Sequence, residues 1–578
     1  MEVSTMDERY FSMRATFFER EQDQECYFKL KELEALWFCS AKNVKRILHH
    51  FEESGKVTYI PGKGRGNPSK LVFLSPFQQE VEHFIKESVE NDRLDQAAQL
   101  LRLPIPKSWI AKASSEIREM FGFQQGMAAK DILHSFISRE ITTLDPTYTS
   151  VTFESHLVEQ LGDTLVKYDP KEDKIIPHIA HHYEVDEAGL KWIFYLRKGV
   201  LFHHQETLTS RDVETTIERL KQGPSAYTWL VKEIIKVECA GDYEVHLHLS
   251  KPNPFLLRYL SCANFCVLPA STPFNENEWI GSGPFSMKER SRNKLVLEAF
   301  DGYFKERPLL DEIHFYKVSQ DAAEVVNYTV DNGESVEPSS TYEIETGFRF
   351  LAFNFHRQST VKNASFRKAI YHLLDMKKMA RDLQWPDLIE ASSFTKERSF
   401  HQKKDPSEIP NLLKASGYAG EELHLYHLNY ANSIASSRWF DAEAKKYGIN
   451  LTMHPFSIED FYKREIDQHS DMIFMGEVST LDTHLSFLGA FYNETLLFRR
   501  LFPAENLRWI DEKLEQFKQT PTNEKREGIM KEIEAHIRAH NLLIFQHHPI
   551  KTRTFHPMIK DVEFQSYSQL DFKKLWIK

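Results

Sequence analysis

Apolar positions in the first 75 residues change period twice. Leu30, Leu33 and Leu36 recur at helical spacing and predict a two-turn helix, which Phe38, Cys39 and Ser40 interrupt. Val44, Ile47, Leu48 and Phe51 then follow i, i+3, i+4, i+7, one apolar stripe of a second helix over 41–54. Ser40 suits its N-cap, with the hydroxyl taking a free amide, and Gly55 suits its stop. Val57 to Ile60 and Lys70 to Leu74 read as strands joined by the loop GKGRGNP (62–68). Residues 76–101 return to a helical pattern through Val81, Phe84, Ile85 and Val89, which LPIP (103–106) stops. A further helical stretch runs from about Trp109 to Phe121. From 131 onward short strands and helices alternate. WIFYLRKGVLF (192–202) has the period of a strand, and Thr209–Ser210 opens a helix at RDV.

Length and charge sharpen this picture. A chain of 578 residues exceeds one hydrophobic core and divides into three or more units. The whole carries a formal charge of −11, yet residues 40–74 hold seven Lys and Arg against two Glu, a local +5. One basic patch on an acidic body predicts an anionic partner for the patch alone. The start lacks a basic and then apolar leader, and no run of some 18 apolar residues occurs, so a cytoplasmic protein without a membrane span is expected. Five cysteines, few and odd in number, suit reduced thiols rather than a disulfide framework.

Helix, short turn, basic helix and a hairpin with a basic tip are the parts of a winged helix-turn-helix over 1–74. On that reading Asn43 and Arg46 reach base edges of double-stranded DNA. Ser40, Lys42, Lys45 and His49 lie toward the backbone, and Lys63, Arg65 and Lys70 of the wing neutralise phosphates. A P-loop is excluded, because no Gly-Lys-Ser/Thr follows a strand here. Residues 75–130 read as a helical connector, whose apolar stripes could equally form the seam of a homodimer.

The remainder, 131–578, carries an ordered set of motifs: ITTLDP (141–146), WIFYLRKGVLF, GSGPF (281–285), FDGYFKERPLLDEIHF (300–315), RFLAFNF (349–355) and NASFRKAIYHLLDMKKMARDL (363–383). These resemble family 5 extracellular solute-binding proteins, the receptors of ABC importers for peptides, nickel and some sugars. The resemblance implies a two-lobed, periplasmic-binding-protein-like (type 2) fold, with lobe 1 at about 131–350 and 545–578 and lobe 2 at about 351–544. The whole chain is then a multidomain α/β protein. LWFCSAKNVKRILHHFEESGKV with the GRG loop resembles the N-terminal motif of SgrR-type transcriptional regulators, which fuse a winged helix to such a domain.

That resemblance implies an unidentified small-molecule ligand in the lobe cleft, near Glu477 and Thr480. In oligopeptide receptors a Gly-Trp followed by Asp-Tyr supplies the Asp that holds a peptide α-amino group. Glu477 aligns with that Trp and Thr480 with that Asp. Lacking the carboxylate, the site would bury an ammonium unpaired, so a free peptide N-terminus is disfavoured. His246 and His248 share a strand face and form a possible metal pair, but with 26 histidines chance pairs are expected. No spacing matches structural zinc, so neither metal nor cofactor is expected. No GxSxG, HExxH, GxGxxG or Walker A motif occurs, which argues against an enzyme. The expected function is a ligand-sensing transcriptional regulator. The alternative is a cytoplasmic, transport-associated solute-binding protein with an incidental basic module.

Overall fold

The computed structural model describes residues 3–578 apart from 63–66, 91–95, 97–99, 101–102, 107–108, 110–129, 138–140, 318–325, 331–338, 556–558 and 566–568. The single positions 151, 224, 345, 386 and 481 also fall outside the description. Its first elements are α1 (Val3–Phe17), β1 (Glu25–Phe28), α2 (Leu30–Trp37), α3 (Ala41–Glu53), β2 (Val57–Ile60), β3 (Ser69–Phe73) and α4 (Phe77–Glu90). The apolar stripe behaves as its period demands: Val44, Ile47, Leu48 and Phe51 of α3 are all buried. They pack on Tyr10, Met13 and Phe17 of α1, Leu33 and Trp37 of α2, and the inner faces of β2 and β3.

Two elements here correct the sequence reading. β1 adds a third strand beside β3, so the expected hairpin is a three-stranded antiparallel sheet in the order β1–β3–β2. α1 closes the core and contributes Arg14, wholly buried, which binds Glu21 and Glu80 at 2.9 Å each and stacks 3.8 Å over the Phe73 ring. A buried charge is tolerable only when paired in this way. The second helical stretch of the expected connector lies almost wholly outside the described residues.

Three larger sheets follow. Four antiparallel strands run in the order Ala180–Val185, Lys191–Leu196, Glu244–Leu249, Ile234–Gly241. A seven-stranded sheet takes Ile132–Ile137 to its centre and includes Glu312–Lys317, Ser339–Ile344 and Ile550–Phe555. A five-stranded sheet has the order Asn450–Phe456, Glu422–Leu428, Met472–Val478, Gly347–Phe353, Leu543–Phe545. The chain passes from the seven-stranded to the five-stranded sheet between Ile344 and Gly347 and returns between Phe545 and Ile550. Gly347 makes the outward crossing possible: its φ is 145°, and a Cβ there would collide with the Glu477 carbonyl. Against the five-stranded sheet, one aromatic cluster joins Phe348, Phe394, Phe487, Phe491 and Phe498, with centroids of contacting rings 4.6–5.9 Å apart. Each such buried ring stabilises the fold by roughly 1.5–3 kcal/mol.

The helix foreseen at RDV is Ser210–Gln222, opened by a capping box in which Thr209 and Asp212 satisfy each other's amides. Among the described residues no helix is long and apolar enough to cross a membrane.

Candidate functional site

Two surfaces bring the expected residues together. On the first, α3 turns Lys42, Lys45, Arg46, His49 and His50 outward, with Asn43 half-buried beside them. This follows from the stripe: with four apolar positions facing the core, the polar ones have nowhere else to point. Ser40 caps α3 through its backbone, its carbonyl accepting from the Val44 N–H at 2.9 Å. The hydroxyl, however, makes no capping bond, contrary to expectation. Ser40 is exposed, so water can satisfy the first-turn amides and the hydroxyl stays available at the helix N-terminus. His49 reaches Glu52 at 3.3 Å and packs edge-on against Tyr59. Lys70 is engaged differently from its expected role, since its Nζ binds Glu25 across the β1–β3 pair at 2.6 Å. Lys63 and Arg65 lie outside the described residues.

The turn before α3 holds a residue that the sequence reading did not single out. Phe38 is 94% exposed, and φ +49°, ψ +47° place it in the left-handed region as the C-cap of α2. A non-glycine residue there costs about 1–2 kcal/mol. The FCS break in periodicity marks the turn, but nothing in one sequence shows that its aromatic faces solvent.

The second surface is a cleft of about 700 Å³ where the sheet units meet. Glu477 and Thr480 both line it. Glu477 is the penultimate residue of the strand Met472–Val478, and burial without a charged partner pushes its carboxyl up to about 8. Thr480 is absorbed locally, its hydroxyl donating to the Asp482 carbonyl at 3.0 Å and meeting the Ser486 hydroxyl at 2.9 Å. Arg349, opposite Gly476 in the adjacent strand, lays its guanidinium over that glycine, where a side chain would collide. It was legible as a lone cation inside the apolar run FRFLAF. Aromatic faces come from Trp229, Trp385, Tyr430 and Tyr462. Ser150 and Tyr462 share a 2.5 Å hydrogen bond across the cleft. Gln546 is 5% exposed with its side-chain amide nitrogen unpartnered, a donor for a ligand.

Beside the cleft, Arg258 forms a bidentate ion pair with Asp482, both less than a tenth exposed, and stacks 3.3 Å from the Tyr168 centroid. Asp482 stands two residues beyond Thr480, yet its carboxylate is consumed by this pair and by capping Leu485 N–H at 2.9 Å. No ammonium-binding carboxylate is thereby restored to the position where peptide receptors carry one. A larger cavity of about 830 Å³ runs along Ser210–Gln222 and residues 268–280. Its guanidinium, Arg219, is spent on Asp145, and it does not lie between the units.

Comparison with known proteins matches two regions of the chain. Residues 174–496, more than half the chain, match bacterial extracellular solute-binding proteins, family 5 (middle). Residues 7–118 match the sugar transport-related sRNA regulator N-terminal domain. The chain is 33% identical over 484 residues to the uncharacterised protein YhjP of Bacillus subtilis, covering 82% of each. It is 27% identical over 335 residues to the HTH-type transcriptional regulator SgrR of Escherichia coli K12, covering 56% of this chain and 57% of that one. A dipeptide-binding protein of Pseudoalteromonas, solved with Met-Leu, superposes with a TM-score of 0.67 at 16% identity, over 77% of this chain and all of the other.

Proposed function

Since the chain belongs to the family 5 solute-binding proteins and, through its N-terminal domain, to the SgrR-type regulators, we propose that it is a cytoplasmic DNA-binding regulator gated by a small molecule. In this reading 1–74 form a winged helix-turn-helix and 75–130 a connector, while 131–578 form the two-lobed sensor. The observation that carries it is the exposed cationic face of α3 on a chain that elsewhere is acidic. α3 enters the major groove, Asn43 and Arg46 read base edges, and Lys42, Lys45 and the Lys63–Arg65 loop meet phosphates. Ligand bound between the lobes favours a closed arrangement and alters how α3 is presented, which requires a different affinity for the two arrangements.

The cleft supports a hydroxyl-rich ligand better than a peptide: it offers aromatic faces, Gln546, the Arg349 guanidinium and a protonated Glu477, and no free carboxylate at the peptide-amine position. The test is retention on a pool of random duplexes at graded salt, followed by mass spectrometry of small molecules that co-purify. A solute-binding protein with an incidental basic module would show no retention at physiological ionic strength. Substituting Lys63 and Arg65 together should reduce the salt slope by roughly 0.9 for each phosphate that is no longer neutralised.

Asn43→Ala and Arg46→Ala should each cost about 1–3 kcal/mol on the preferred sequence and little on random DNA. Equal loss on both would make them phosphate contacts. Phe38→Gly separates function from fold. Glycine relieves the left-handed strain while gaining freedom in the unfolded chain, so stability should stay within about 1 kcal/mol. DNA affinity should fall several-fold if the ring meets thymine methyl groups beside α3. Unchanged affinity would remove Phe38 from the interface.

A further inference from the structure

The outer face of the four-stranded sheet carries a cluster that neither the cleft nor the α3 face uses. Glu244–Leu249 alternates, so Val245, Leu247 and Leu249 go into the core while His246 and His248 share the opposite face. The neighbouring strand Ile234–Gly241 sets Glu238 directly against His246 in the ladder. One ligand atom from each of Glu238, His246 and His248 lies within 4.8 Å of the others. Register shifts flank the pair, between Glu244 and Val245 and between His248 and Leu249. Such irregularities re-aim side chains.

His246 is the informative member. It is 8% exposed, its Nε2 faces Glu244 Oε1 at 2.6 Å, and its Nδ1 is buried with no hydrogen-bond partner. A buried ring nitrogen without a partner calls for an explanation. A carboxylate on one nitrogen of an imidazole, with the other left as a lone pair, is the arrangement that orients metal-binding histidines. His248 Nε2 stands 3.3 Å from Glu238 Oε2, and Glu238 also holds Lys236 at 2.8 Å. Lys236 is an exposed competitor on a flexible stem, displaced at the cost of one surface ion pair.

From this geometry we propose a divalent transition-metal site of zinc type, with His246, His248 and Glu238 as ligands, water completing the tetrahedron, and Glu244 orienting His246. Two imidazoles and one carboxylate are borderline ligands that select zinc-like ions over magnesium or calcium. The ion would tie the two strands of the hairpin across their outer face. None of these residues lines the cleft, so the site is independent of the regulatory reading.

The experiment uses the untagged full chain, stripped with EDTA and then titrated with zinc chloride under native mass spectrometry and thermal melting. One tight equivalent should bind, and the melting temperature should rise with zinc, because binding the folded state alone stabilises it. His246→Gln with His248→Gln should abolish both effects. Glu244→Gln should weaken binding about 10–100-fold, as loss of an orienting carboxylate does. Melting in EDTA checks that the variants fold, and Glu238→Gln provides a second probe if the double variant does not. Zinc bound equally by wild type and variants would place it on other histidines and overturn the site, as would no tight equivalent in the wild type.

Discussion

Replacing Arg258 with alanine is expected to lower the stability of the solute-binding portion by about 3–5 kcal/mol, the cost of leaving a buried charge without its partner. Asp482 is 8% exposed and would keep only the Leu485 N–H, while Tyr168 would lose the guanidinium stacked on its face. The pair joins the segment after the four-stranded sheet to the turn after Met472–Val478 in the five-stranded sheet, so its loss loosens the wall of the cleft. Calorimetry should show the major transition moving down while the transition of the N-terminal core stays, because among the described residues its apolar cluster includes none of Arg258, Asp482 and Tyr168. Arg258→Met with Asp482→Asn, which removes both charges of the pair and preserves a capping acceptor, should recover most of the deficit. A loss below about 1 kcal/mol for the single variant would show that water reaches Asp482 and that the pair contributes little.

What the sequence could and could not reveal follows from how far apart the partners lie. The α3 stripe was legible because four buried positions within eight residues carry their own period. α1 escaped because its apolar and polar positions do not segregate along the stretch, and Arg14, wholly buried, reads as a surface residue until Glu21 and Glu80 are seen around it. β1 escaped because four residues, Glu25 to Phe28, are too short to show alternation, and the same strand supplies the carboxylate that engages Lys70. In the cleft, Glu477 and Thr480 were reached through motif order, and both line it. Arg258 and Asp482 stand 224 residues apart, and no local pattern couples two such positions. His246 and His248 were visible as a strand pair, but Glu238 and Glu244, which turn a pair into a ligand set, depend on the ladder register.

Glu477→Gln should change the pH dependence of stability more than any other single substitution in the cleft. Burial holds the folded-state carboxyl at about 8 against an ordinary value of 4.5. Below pH 4.5 folded and unfolded chains are both protonated there and the group is neutral in the balance. Between 4.5 and 8 the unfolded chain releases the proton and the folded chain retains it, so stability falls as pH rises. Above 8 the folded state must hold a carboxylate in the half-buried wall of the cleft. A shift of that size carries up to about 5 kcal/mol, an upper bound that water entering the cleft reduces. Glutamine keeps the shape and cannot ionise, so the variant should match the wild type at pH 4.5 and surpass it increasingly toward pH 9. Melting curves at pH 4.5, 7 and 9 measure this. A constant offset between the two proteins would mean that Glu477 titrates normally. Ligand binding should follow the same titration, since at pH 7 Glu477 presents an O–H to an acceptor and no charge to an ammonium. A ligand that binds through this donor therefore loses affinity as pH passes 8, whereas a cationic one gains it.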